Sequence, residues 1–147
     1  MKKIIPTLLA SAAMSAALIA GTAGSAHAAS GVACTLWKSV SGKNSYSVLT
    51  IRSCIQWDGT SSDRAYIEVQ NISTKTQYVG LGVTLSDDDY NTIASKSVYR
   101  AEIAPTQTSK LYTNWVDDYT WGAERAIGTV IVAANSSNTG WAVEPWF

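Results

Sequence analysis

Histidine is nearly absent from this chain of 147 residues: His27 is the only one, and it lies in an N-terminal stretch that reads as a cleavable leader. The expected mature form therefore holds no imidazole. Without one, neither a Ser-His-Asp site nor a Cys-His nucleophile can be assembled, and a His-bearing zinc site is excluded as well. Cysteine is almost as scarce, with only Cys34 and Cys54. Clustered basic runs are missing, which argues against an electrostatic nucleic-acid surface. Beyond the leader no long segment repeats with a helical period of 3.6, so a helical bundle is not expected.

The leader itself is plain. Met1-Lys2-Lys3 precedes an apolar run from Ile4 to Ala20, and small residues follow to Ala26-His27-Ala28. A basic start, a short apolar centre and an Ala-x-Ala end describe a bacterial signal peptide over 1–28, cut after Ala28. An uncleaved membrane anchor is the competing reading, disfavoured because no charged stop-transfer flank follows. The expected product is a secreted, extracellular protein of one domain, residues 29–147. Loss of Lys2 and Lys3 leaves nine Lys or Arg against eleven Asp or Glu, a balance suited to protein, peptide or sugar partners.

In an exported chain an even pair of cysteines is most simply a disulfide. Closing a loop of about 20 residues between Cys34 and Cys54 contributes roughly 3 kcal/mol in the chain-entropy model. Redox-active thiols are the weaker reading, since the spacing is not Cys-x-x-Cys.

What is abundant is alternation of period two. Leu49, Ile51, Ile55 and Trp57 share one phase, broken only by Ser53, while Val48, Thr50, Arg52, Cys54 and Gln56 share the other, mostly polar one. Cys54 thus falls on the polar side, and a bridge to Cys34 should pin neighbouring strands at a sheet surface or margin rather than join two sheets through the core. Ala65, Ile67 and Val69 alternate with Arg64, Glu68 and Gln70; after a turn, Val79, Leu81, Val83 and Leu85 repeat the pattern. Shorter strands are expected over 93–99, 109–116, 126–134 and 141–143. The expectation is an all-β, antiparallel immunoglobulin-like β-sandwich of about seven or eight strands with one disulfide.

Residues 67–113 carry a resemblance. Ile-Glu-Val-Gln-Asn-Ile-Ser, Val-Gly-Leu-Gly-Val-Thr-Leu-Ser-Asp, Asn-Thr-Ile-Ala-Ser and Ile-Ala-Pro-Thr-Gln-Thr occur in that order. This resembles the FxLYD-type immunoglobulin-like domains of exported bacterial proteins. The chain departs from their pattern at Thr84-Leu85-Ser86-Asp87 and at Thr106, where glycine is usual. The resemblance implies a fold and transfers no catalytic residue.

Acids are the main chemistry left. Asp117, Asp118, Glu124 and Glu144 are the candidates for a glycosidase pair, but adjacent carboxylates such as Asp117 and Asp118 on a strand or turn are poorly placed to act across one sugar bond. Asp87, Asp89 and Asn91 imitate the opening of a calcium loop, yet position 92 is Thr and the closing position is Val98, so a hairpin turn is the better reading. No metal or cofactor is implied. Asn71-Ile-Ser and Asn135-Ser-Ser are formal glycosylation acceptors, read here as turn residues. Val130 to Ala133 reads as a buried central strand.

Six Trp, seven Tyr and one Phe complete the picture. Trp57 and Trp115 extend apolar phases and are expected in the core, as is Trp37. Tyr119 and Trp121, beside Asp117 and Asp118, fall in a connection where rings can serve a binding surface or cap the sandwich. Trp146 and Phe147 close the chain as an apolar plug or a contact. Taken together, these are candidate binding residues of a non-catalytic protein. The favoured role is an interaction or adaptor subunit of an extracellular bacterial assembly, such as a secreted toxin complex, contacting another secreted or cell-surface protein. A carbohydrate-binding module is the alternative, disfavoured because the rings look scattered among ends and loops; an inhibitor of a secreted hydrolase is the third.

Overall fold

The structure, a computed structural model, describes residues 30–42, 46–117, 124–132 and 135–143. Ten strands occur among them: β1 Gly31–Cys34, β2 Lys38–Ser41, β3 Ser47–Trp57, β4 Ser62–Asn71, β5 Gln77–Ser86, β6 Thr92–Ile103, β7 Thr108–Tyr112, β8 Val116–Asp117, β9 Arg125–Val132 and β10 Asn135–Val143. They form two antiparallel sheets. In the first, β1-β3-β4-β7 are successive neighbours, with β2 also on β3 and β8 also on β4; the second runs β10-β9-β5-β6. Strands β1 and β2 lie end to end along one margin of β3, and β7 and β8 along one margin of β4. Taken as two interrupted edge strands, they make eight strands in two layers of four, the immunoglobulin-like sandwich that the alternation predicts.

The inward phases supply the core. From β3 come Leu49, Ile51, Ile55 and Trp57, from β4 Ala65, Ile67 and Val69, from β5 Val79, Leu81, Val83 and Leu85, and from β9 Ala126, Val130 and Val132. Burying one such aliphatic side chain is worth about 1.5–3 kcal/mol. The sheets approach so closely at Gly128 that an added Cβ would stand 2.7 Å from the Ile67 side chain. Val130 and Val132 are buried as expected, but Ile131 between them faces outward and is exposed. Ser53, the break in the β3 pattern, is wholly buried and polar for a reason. Its Oγ lies 3.2 Å from the Ala126 carbonyl and 3.1 Å from that of Gly140, and receives the Thr139 hydroxyl at 2.9 Å. A hydrogen-bonded chain thus ties the first sheet to β9 and β10.

Three strand irregularities share one device. Between Cys34↔Cys54 and Lys38↔Ile51 the edge strand advances four residues while β3 advances three. The same surplus separates Tyr112↔Tyr66 from Val116↔Asp63, and β10 gains one residue on β9 between Asn138 and Trp141. At each place a threonine hydroxyl accepts a backbone N–H of the facing strand: Thr35 from Ser53 at 3.1 Å, Thr113 from Ala65 at 3.0 Å, and Thr139 from Gly128 at 2.9 Å. The hydroxyl satisfies a donor that the extra residue would otherwise strand.

Cys34 and Cys54 are bonded and are direct cross-strand partners in one sheet, as the polar phase of Cys54 implied. At the far end, Asn71 is fully buried. Its Nδ2 donates to the carbonyls of Lys75 and Ile103, both at 2.8 Å, which makes it a corner pin and leaves no amide free to carry a glycan. Asn135, the other acceptor, is not in a turn; it opens β10. Below Asn71, Gln107 donates to Ala104 across Pro105 and Thr106, and Thr106 has φ 63°. Proline followed by a left-handed residue is the pattern of a type II turn, and this is the position where the resembled domains carry glycine.

Candidate functional site

Two outer surfaces of the sandwich gather chemistry, and the surplus residues decide the first. An extra residue in a strand sends every later side chain to the opposite face. The strand phase predicts that Trp115 follows Leu111 and Thr113 inward. Instead the irregularity at Thr113 turns it outward, 41% exposed, while Val116 packs on the core. The sequence likewise predicts Trp37 in the core; past the irregularity at Thr35 it lies on the outer face, 43% exposed. Trp57 alone of the three is core, as predicted.

The outer face of the first sheet is therefore built in cross-strand rows. One row reads Arg52, Glu68, Lys110; the next reads Cys34, Cys54, Tyr66, Tyr112; the next pairs Gln56 with Arg64. Arg52 and Lys110 both bind the Glu68 carboxylate, which lies almost wholly beneath them. Burial alone would raise the Glu68 pKa, but the hydrogen bonds from Lys110 and Arg52 outweigh it and hold the group below its usual range. The Lys110 ammonium is held above its ordinary value by its hydrogen bond to Glu68. Burial, aided by the Glu68 charge, pushes the Tyr66 phenol up, so it stays a neutral donor 4.0 Å from Cys34 Sγ.

Cations lie over the rings of this face. The Arg52 guanidinium is 4.6 Å from the Trp37 centroid. That of Arg64 is 4.4 Å from both Tyr112 and Trp115, held there by Nε and Nη2 donating to Gln56 Oε1 at 3.0 and 2.9 Å. Each such contact is worth about 0.5–1 kcal/mol at exposed sites. The rings that looked scattered in the sequence are thus collected: Trp37, Tyr66, Tyr112 and Trp115 share one sheet face.

The second surface lies on the other sheet. Gly80 and Gly82 occupy the outward positions of β5, and Tyr78, Tyr99, Thr129 and Ile131 rise around them to form a groove of about 660 Å³. Arg100 stacks on Tyr78 at 4.6 Å. Strand β6 gains a residue on β5 between Val98 and Ala101, and Tyr99 stands there 96% exposed. Beyond it β6 is the outermost strand of its sheet. Neither surface was marked in the sequence as a site; a glycine at alternate positions of an otherwise apolar strand was the available signal for the groove.

Of the predicted binding residues, Asp117 lies in β8, exposed, with its Oδ1 accepting the Ser62 hydroxyl at 3.4 Å. Asp118, Tyr119, Trp121, Trp146 and Phe147 lie outside the described residues, as does Glu144. Glu124 is buried. The Asp87 carboxylate accepts Asn91 N at 2.7 Å and Nδ2 at 2.9 Å, closing a hairpin turn on itself, and the Asn91 hydrogen bond lowers its pKa.

No family model and no curated sequence matches the chain. Among solved structures it is similar to part of a Bacteroides uniformis beta-glucuronidase, at 14% identity and a TM-score of 0.41 over 79% of this chain and 13% of the other. It is also similar to part of a calcium-binding mutant of Bacteroides uniformis beta-glucuronidase 2, at 14% identity and 0.43 over 75% and 15%. The chain spans a small fraction of the length of these enzymes.

Proposed function

We propose that this chain is an exported, non-catalytic binding protein whose partner is another secreted or cell-surface protein of a bacterial extracellular assembly. The observation that carries this reading is the apolar groove floored by Gly80 and Gly82 beside the outermost strand β6. A groove of that composition next to an open strand margin suits an extended polypeptide segment, which gains main-chain hydrogen bonds at the margin and side-chain pockets on the face. Tyr99, nearly fully exposed, is the ring best placed to anchor it. The resemblance to FxLYD-type domains belongs to the same reading; it is supported by the corner role of Asn71 and the left-handed Thr106.

Capture from culture supernatant on the immobilised mature protein tests the assignment. A co-purifying protein lost on Tyr99→Ala, with an unchanged melting temperature, is expected. Retention of the partner by that variant would remove the groove from the account, and no captured protein would overturn the adaptor role. Mass spectrometry of the extracellular form should begin at Ala29. A carbohydrate reading is also favoured by one observation, the collection of rings on the first sheet.

A further inference from the structure

We infer that the outer face of the first sheet is a second binding site, one for a carbohydrate polymer bearing carboxylates. The inference stands independently of the protein-partner reading, because it uses the opposite side of the sandwich.

Charge complementarity selects the ligand. Among the described residues, three cations, Arg52, Arg64 and Lys110, lie on this face against the submerged carboxylate of Glu68, with Asp117 at the margin. Arg52 and Lys110 share that carboxylate, whereas among the described residues Arg64 meets no acidic side chain: its Nε and Nη2 donate to the neutral Gln56 amide. A guanidinium has five N–H donors, and these two bonds use two of them, so the Arg64 fork retains donors of the kind that bind a carboxylate. It is also fixed, gripped by Gln56 and stacked between Tyr112 and Trp115, so little freedom is lost on binding.

The rings and polar groups select carbohydrate over protein. Trp37 and Trp115, each about two-fifths exposed, stand at opposite margins of the sheet, near rows of β3 that are four residues apart, roughly 13 Å along the strand and about 14 Å across it. Two half-open indoles at that spacing offer flat apolar platforms for sugar rings. Between them runs the row of the disulfide, Tyr66 and Tyr112, and beside them the face carries the hydroxyls and amides of Thr50, Gln70, Thr108 and Gln56, with Val32 next to Gln56, a more polar lining than the dry apolar patch of a protein hot spot. The cross-strand disulfide beneath holds the rows in register.

Affinity electrophoresis of the full exported protein through gels containing polygalacturonate, or neutral dextran, tests this. Retardation by polygalacturonate that weakens with salt, and little by dextran, is expected. Arg64→Gln and Trp115→Ala should each lower the apparent affinity about tenfold or more, with Trp37→Ala as a further ring variant should Trp115→Ala fold poorly. Absence of retardation, equal retardation by both polymers, or full affinity in Arg64→Gln would each overturn the inference. Tyr99→Ala should leave the retardation unchanged; if it alone abolished binding, the site would be on the other sheet. Loss of protein capture with intact retardation in the wild type would sink only the adaptor reading.

Discussion

The hydroxyl of Thr113 accepts the backbone N–H of Ala65 at 3.0 Å, and this one bond accommodates the extra residue that turns Trp115 outward. Thr113→Val keeps the shape but leaves the buried Ala65 amide unpaired. It should cost about 1–3 kcal/mol, read as a lower midpoint in urea. Thr113→Ser, which restores the acceptor, should recover most of the loss; equal destabilisation by both variants would show that the methyl, not the hydroxyl, matters.

Ser53 and Thr139 should be energetically coupled. Each satisfies the other across the two sheets, so Ser53→Ala and Thr139→Val are each expected to cost about 1–3 kcal/mol. Together they should cost less than their sum, with a coupling of roughly 0.5–3 kcal/mol in a double-mutant cycle. Strict additivity would dissolve the inter-sheet chain into independent bonds.

Thr106→Gly should stabilise the protein. A β-branched residue at φ 63° bears a left-handed penalty of about 1–2 kcal/mol, whereas glycine bears an entropic cost of about 0.5–1 kcal/mol. Thr106 is exposed, so no packing is lost, and a net gain of up to about 1 kcal/mol should appear as a rise in melting temperature of several degrees.

Acid should release the Glu68 cluster. Because the folded pKa of Glu68 lies below its ordinary value, its ion pairs stabilise the protein above the unfolded value of about 4.3 and are lost as pH falls through the folded one. Lys110 is shifted the other way. Its contribution is present below about pH 10.4 and is lost as pH rises through its raised value. Glu68→Gln should therefore be less stable near neutrality and show a flatter melting curve between about pH 5 and 3. Parallel acid profiles for the two proteins would remove Glu68 from the transition.

Much of the fold is legible in the residues themselves. The alternation of β3, β4 and β5 names their inward side chains, and the polar phase of Cys54 implies a bridge between neighbouring strands, as found. Trp57 continues the β3 phase without interruption and is buried. Trp37 and Trp115 are different, since each follows a surplus residue whose existence depends on the strand opposite. The only local hint is a threonine at an inward position, Thr113, or beside the cysteine, Thr35, and threonine is common in strands for other reasons.

What the amino-acid order determined alone was the class of molecule: two layers of alternating strands, a bridge from Cys34 to Cys54, and corners at Asn71 and Pro105. The alternation and the corners depend on neighbours two or a few residues apart, and the bridge, though it spans 20 residues, on the chain's holding a single pair of cysteines. Tertiary structure alone decided which rings reach solvent and which cations cover them. A single threonine hydroxyl bonding across to another strand reverses the phase of all that follows, and that partner strand lies 48 residues away for Thr113.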